Sequence, residues 1–412
     1  MKMLIVSNNL LLCIAALAFP FSVGVTNVAL GLVLFVGVFS GIWWQGVKQC
    51  WSSSRHLILV LTIYFALMFL GVIWSLDPNG GVRIIGRQWF WLLVPIIAFL
   101  LNQEKWRNYF LASLSAGLAL NLGYCILQML GYVEVTTDGS SFQNPTGHIG
   151  HIGFGEVYGV WASWLLYLGW QRQGGWRWML WSYAAWAYVM VFSAQGRGGY
   201  IVALSLMIVV IFERFRGHHP WRPIAMALSV VVVVALIFAM GPGKERWQLA
   251  WDSLSQVVSS ESNHSVESAQ RTSIGQRIEM IKTSIEIWQA YPWLGAGTGG
   301  VPKAVIALGD HENGAQRLQF AHPHNQYLFN LARWGIAGLL IFLAVFYFWL
   351  REGWKQNWNS SIAFPLITLA GAGLMIHGLF APAMEEHFAG VLTALLLGAG
   401  LSSLNSDSGG GK

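Results

Sequence analysis

The stretch Phe320-Ala-His-Pro-His-Asn-Gln-Tyr-Leu-Phe-Asn-Leu-Ala-Arg-Trp-Gly335 leads straight into the uncharged run Ile336-Ala-Gly-Leu-Leu-Ile-Phe-Leu-Ala-Val-Phe-Tyr-Phe-Trp-Leu350. Pro323 and the polar residues around it read as a helix start, after which Tyr327, Leu328, Leu331 and Trp334 recur at helical spacing. His324 is therefore expected in the first turn of a helix that becomes a membrane span. The partial positive charge of a helix amino terminus disfavours imidazolium, so a histidine there is expected to stay neutral and able to act as a base. The same residues would also suit a plain helix start at the membrane surface, with His322 and His324 as caps, and the local sequence leaves both readings open.

Composition agrees with a membrane setting. The chain of 412 residues is 55% hydrophobic and only 10% charged, against about 25% charged in average usage. This reads as an all-α polytopic membrane protein. Its 23 tryptophans suit extensive water–lipid interfaces. The net charge of +6 is not a nucleic-acid signature, because in such a protein the distribution of lysine and arginine over the loops carries the meaning. Cys13, Cys50 and Cys125 lie in or beside apolar segments without disulfide or metal spacing, as small core residues do. The first apolar stretch has no small-residue cleavage site and is read as a retained anchor.

Runs long enough to cross about 30 Å of hydrocarbon predict twelve transmembrane helices, near 4–22, 25–44, 57–74, 88–101, 110–131, 153–170, 177–194, 200–213, 224–242, 332–350, 362–380 and 388–403. With the amino terminus cytoplasmic, the loops near 45–56, 102–109, 171–177, 213–223 and 351–361 share that side. Together with the termini they hold most of the lysines and arginines, whereas the opposite short loops hold only Arg83, Arg87 and Arg197. By the positive-inside rule both termini face the cytoplasm. The chain then divides into helices 1–9 over residues 1–242, a large outer loop over 243–323, helices 10–12 over 324–403 and a disordered tail over 404–412.

A loop of that length is expected to fold. Ser253 to Ser273 reads as mobile, whereas Ile274, Ile278, Ile281, Ile285 and Trp288 mark an amphipathic helix with Glu279, Lys282 and Glu286 on the other face. Such a helix would lie on the bilayer or over the mouth of a cavity. Pro292-Trp-Leu-Gly-Ala-Gly-Thr-Gly-Gly300 ends it and reads as flexible backbone beside the site.

The outward face gathers charge. Arg87 opens the fourth span, Arg197 lies in Ser193-Ala-Gln-Gly-Arg-Gly-Gly-Tyr200 between two spans, and Arg277 falls in the amphipathic helix. Three guanidiniums from three segments could converge on a diphosphate, which they would grip through bidentate, permanently charged contacts. Each one alone could equally be an interfacial arginine reaching lipid phosphate. The glycines around Arg197 would let a substrate approach the backbone. Glu156, early in the sixth span, would face a polar cavity or pair with an arginine. His148, His151 and His387 read as loop histidines and not as metal ligands, since no ligand motif frames them.

These elements resemble the O-antigen ligase and O-antigen polymerase superfamily. The resemblance is carried by His322-Pro-His-Asn-Gln-Tyr-Leu328 with Trp334-Gly-Ile-Ala-Gly-Leu339, by Gly196-Arg-Gly198 after an apolar span, and by Arg277 followed by Trp288 and Pro292-Trp-Leu-Gly-Ala-Gly297. It implies a GT-C-like glycosyltransferase in the bacterial inner membrane, with one periplasmic loop containing amphipathic helices. The implied reaction is an inverting transfer that needs no metal or cofactor. The donor would be a glycan on undecaprenyl diphosphate, and in the ligase branch the acceptor a sugar of the lipid A core. His324 would be the base with His322 as the alternative, Arg87, Arg197 and Arg277 would hold the diphosphate, and Asn325, Tyr327 and Glu156 would be further contacts. Polymerase and protein O-oligosaccharyltransferase branches share these motifs, so the acceptor stays open. A transporter, which would place its charges along a central path, fits the one-sided charge less well.

Overall fold

The computed structural model describes residues 2–133, 140–141, 144–194, 196–215, 273–310, 316–355 and 358–406. The expected span at 224–242 and the serine-rich stretch 253–272 lie outside them. Every other expected span coincides with a helix. In chain order these are α1 (Lys2–Ala18), α2 (Val23–Phe39), α3 (Ile42–Leu70), α4 (Pro78–Arg87), α5 (Leu93–Leu100), α6 (Glu104–Met129), α7 (His151–Gln171), α8 (Gly175–Ser193) and α9 (Arg197–Phe215). After the gap come α10 (Ser273–Ala290), α11 (Val301–Ala307), α12 (Gln326–Trp354), α13 (Pro365–His377) and α14 (His387–Ser406). Five of them are long and apolar enough to cross a membrane, or six if the pair Pro78–Arg87 and Trp89–Leu100, bent by 48°, forms one span. The protein is an all-α membrane protein.

Several boundaries differ from the sequence reading. The loop expected at 45–56 does not exist as a loop, because α3 runs through it and only kinks at Ser54. Apolar Ile42, Trp43 and Trp44 let the helix start early, and Lys48 and Arg55 are carried on its side. The tail expected from 404 begins later, since α14 continues to Ser406.

One apolar core joins the bundle. Helix α7 packs on α8 and α9, α1 on α2 and α6, α3 on α5 and α12, and α13 on both α12 and α14. Its largest fully buried side chains include Trp161, Trp334, Trp349, Tyr64 and Tyr158. A second, smaller core lies under the loop helices, built from Ile287, Ala296, Val301, Ala304, Val305 and Phe320 together with Phe329 and Ala332 of α12. Helix α10 reaches it with an unexpected face. The buried positions are Gly275, Glu279, Thr283 and Ile287, four apart, with Ser284 beside them, while Ile281 stays exposed. The isoleucine stripe is therefore not the face that packs on α12. Buried Arg317 fastens the chain after α11 to α10, at 2.7 Å from Glu286 Oε2 and donating to Thr283 Oγ1 at 3.1 Å.

Helix α12 serves both cores because it is broken. Gly335 has φ 63° and ψ −160°, a conformation essentially reserved for glycine. The break frees the carbonyls of Ala332 and Arg333 and the amide of Ile336, and all three find partners in one segment. Ala296 N–H donates to Ala332 O at 2.9 Å, Gly297 N–H to Arg333 O at 2.8 Å, and Ile336 N–H to Pro292 O at 3.0 Å. On its other side the segment meets the end of α3, with Thr298 N–H donating to Gly71 O at 2.9 Å and Thr298 Oγ1 to Met68 O at 2.7 Å. Residues 295–300 are buried. The segment expected to be flexible backbone is thus a fixed seam.

The seam has no room for side chains. A Cβ on Gly335 would lie 2.4 Å from the Trp293 carbonyl, whereas one on Gly31, inside α2, would meet nothing within 4 Å. Gly335→Ala is expected to cost about 2 kcal/mol or more, read as a lower thermal unfolding midpoint in detergent. Gly31→Ala should leave the midpoint unchanged or slightly raised. Equal midpoints for the two variants would show that the break carries no strain-sensitive packing.

Candidate active site

The two histidines precede α12 and do not belong to it. Asn325 is the N-cap, its Oδ1 accepting from Leu328 N–H at 3.0 Å. Pro323 therefore does not open the helix, and His324 sits one residue outside the cap instead of in the first turn. Its φ of 50° is the only left-handed value at a residue other than glycine among the described residues. Such a backbone costs about 1–3 kcal/mol and persists only where surroundings over-determine it. Here they do. Gln326 N–H donates to Gly378 O at 2.7 Å, Asn325 Nδ2 to Leu379 O at 3.3 Å, and Tyr327 OH to Met375 O at 2.9 Å. Asn325 and Tyr327, expected as acceptor or loop contacts, are spent on holding the start of α12 to the end of α13.

The strained turn stacks the two rings edge to face, with centroids 4.6 Å apart. His322 also packs against Phe329, and its Nδ1 is enclosed with no hydrogen-bond partner among the described residues. Burial lowers the His322 imidazole, with Glu386 acting against the shift and Arg87 adding to it. Burial, followed by the His322 and Arg277 charges, pushes His324 down to about 4, again against the pull of Glu386. Both rings are neutral at pH 7. The cause differs from the expected one, since enclosure and neighbouring cations act here and not a helix terminus.

Each of the three expected arginines bears electrostatically on one of the two histidines or on another arginine of the set. Arg87 ends α4 just ahead of the bend, and its charge bears on His322. Arg277 bears on His324 from α10, and Arg197, the first residue of α9, bears on Arg277 in turn. Partial enclosure and then the Arg197 charge lower the Arg277 guanidinium. All three side chains keep open surface, and none forms an ion pair with a described residue. Three cations without an acidic partner among the described residues, near two imidazoles, offer charge suited to a polyanion. The glycines flanking Arg197 serve packing instead of substrate approach. A Cβ on Gly196 would meet the His151 carbonyl at 2.7 Å, one on Gly198 the Phe380 ring at 2.9 Å, and one on Gly199 the Cα of Gly155 at 2.5 Å.

Residues 182–343 match the family model described as O-antigen ligase. Over these residues the chain is similar to that family. No curated protein matches the chain. The matched segment begins within α8 and ends within α12, so it contains Arg197, Arg277, His322 and His324, while Arg87 lies outside it.

Two side chains around this site, Arg333 and His377, were not singled out from sequence. Arg333 is fully buried and ion-paired with Glu385; it donates to Asn330 Oδ1 at 2.8 Å and Tyr64 OH at 3.0 Å and lies 3.9 Å from the Trp334 ring centroid. His377 is buried at the end of α13, 2.7 Å from Glu386 Oε2. An ionisable residue within an apolar run is a site candidate by default, and that rule applied to Arg333 and His377 would have found both. Glu156 is buried in α7 and accepts from Thr393 Oγ1 at 3.2 Å. It lies behind His377 and pairs with no arginine. His148 donates its backbone N–H to Asn121 and packs between Phe21 and Tyr124, as a loop histidine.

Because the Arg277 charge helps hold His324 near 4, Arg277→Gln should raise the pH at which His324 protonates. Diethylpyrocarbonate attacks only neutral imidazole, so the midpoint of His324 modification against pH, followed by mass spectrometry, should move upward in the variant. An unmoved or lower midpoint would separate Arg277 from the histidine.

Proposed function

We propose that this protein is an O-antigen ligase that transfers a glycan from undecaprenyl diphosphate to a sugar of the lipid A core, on the periplasmic face of the bacterial inner membrane, with both termini cytoplasmic. What supports the reading is that Arg87 bears on His322, Arg277 on His324 and Arg197 on Arg277, the three arginines being without acidic partners among the described residues.

The chemistry follows from those groups. A glycosyl diphosphate already carries a good leaving group, so catalysis needs charge stabilisation at the diphosphate and removal of one proton from the acceptor. The three guanidiniums take the first task and His324 the second. His322, with its enclosed and unpaired Nδ1, orients the acceptor hydroxyl. A ring held near 4 is a weak base in the empty site. Diphosphate bound to Arg277 would offset the charge that depresses it, so donor binding strengthens the base before the acceptor reacts. Ile281, exposed on α10, suits the lipid carrier or the bilayer surface.

The test is transfer in liposomes from purified undecaprenyl-diphosphate glycan to lipid A core, with chelator present. Wild type should give glycosylated core. His324→Asn, which tolerates the left-handed backbone that alanine does not, should lose about 100-fold or more in turnover while still binding donor. Arg197→Ala should mainly weaken donor engagement. An active His324→Asn protein would remove the base assignment, and lengthened glycan left on the carrier would identify a polymerase.

A further inference from the structure

The turn joining α13 to α14 carries two adjacent acids with different partners. Glu385 pairs with buried Arg333, and Glu386 Oε2 lies 2.7 Å from His377 Nε2. The other oxygen of Glu386 rests on the first turn of α7, where a Cβ on Gly153 would come within 2.5 Å of it. The backbone of the turn is fixed as well. Met384 N–H donates to Gln326 Oε1 at 3.1 Å, and Glu385 N–H and Glu386 N–H both donate to Pro382 O, at 2.8 and 3.1 Å. Gln326 stands two residues after His324. The same hydrogen bonds that seat α12 therefore hold the Glu386 carboxylate in fixed relation to the histidine pair.

Resting on the ligase reading, we propose that Glu386 is a positioning residue of the transfer reaction, a carboxylate clamped by His377 that stabilises the imidazolium formed when the acceptor loses its proton. In that step the hydroxyl proton passes to the His324 ring and the hydroxyl oxygen bonds to the anomeric carbon. The bond from that carbon to the diphosphate breaks, and its electron pair leaves with the diphosphate. The positive charge created on the ring faces three arginines. Among the described residues, Glu386 is the carboxylate that bears on both His322 and His324. The groups facing Glu386 are His377 from α13, His387 from α14, Glu156 from α7, and the histidine pair ahead of α12. Glu385 is already committed to Arg333.

Glu386→Gln keeps the shape and an acceptor for His377 but removes the charge; Glu386→Asp keeps the charge on a shorter stem. With the transfer assay above, Glu386→Gln should lower kcat about tenfold or more with the donor KM changed less than about threefold. Without the carboxylate the ring binds a proton less readily, so the acid limb of its pH–rate profile should move to lower pH. Glu386→Asp should recover part of kcat and of the limb. A Glu386→Gln protein with wild-type kcat would overturn the proposal, and so would one with raised KM, a lower thermal midpoint and an unmoved acid limb. Diethylpyrocarbonate modification of His322 and His324 needs no substrate, and its midpoint should fall by about half a pH unit in Glu386→Gln. If wild type transfers nothing, the ligase reading fails, and that midpoint alone decides whether Glu386 governs the histidines, an unmoved value rejecting it.

Discussion

Backbone hydrogen bonding at the break in α12 is the constraint on which the site depends. In an apolar bundle a helix cannot stop without a partner for its freed amides and carbonyls, each of which would otherwise cost several kcal/mol. Here Pro292–Gly300 supplies donors to Ala332 and Arg333 and an acceptor to Ile336, while its far side is bonded to the end of α3. The exchange works only because Gly295, Gly297 and Gly335 bring main chains into contact. It also divides the labour of α12. Phe329 and Ala332, ahead of the break, complete the core of the outer loop, and Phe342, Val345 and Trp349, beyond it, belong to the bundle.

Charge is allotted on the same principle. Buried Arg317, Arg333 and His377 each have a counter-charge within reach, and breaking a buried pair costs about 3–5 kcal/mol. Arg333 has Glu385, two neutral acceptors and two aromatic faces, and His377 has Glu386. At the rim the balance is withheld. Arg87, Arg197 and Arg277 crowd together, enough for Arg197 to depress Arg277. Repulsion of that kind would be relieved by a bound anion.

Much of this architecture could be read from the chain. Hydropathy alone located the helices, because each must cover its length with apolar residues whatever its neighbours are. The three arginines and two histidines were found because a charge beside an apolar run is expensive. What escaped depends on contacts between distant segments. Nothing in Trp334-Gly335-Ile336 by itself announces a break, since glycine is also common in membrane helices; the partners that make the break possible lie some forty residues upstream. The same holds for His324, which proline at 323 suggested was helical, whereas the Asn325 side chain begins the helix at Leu328 N–H. On α10 the isoleucine spacing was read correctly and its direction was not, because small residues at 275 and 283 allow closer packing on α12 than isoleucine would.

The two backbone irregularities of the region, left-handed His324 and Gly335, bracket a half-helix of about two and a half turns. Its first residue is tied to the end of α13 and its last turn to the glycine seam. Neither end can shift without breaking main-chain hydrogen bonds to a different part of the protein. The half-helix therefore behaves as a rigid strut, and the histidines project from its near end with little freedom of their own. Such rigidity would suit a site whose side chains, drawn from separate segments, must hold reacting groups to within about half an ångström. A continuous α12 would satisfy its own hydrogen bonds and leave the loop that carries the histidines tied at one end only. The break costs helical hydrogen bonds at Gly335 and returns a second fixed point for the site.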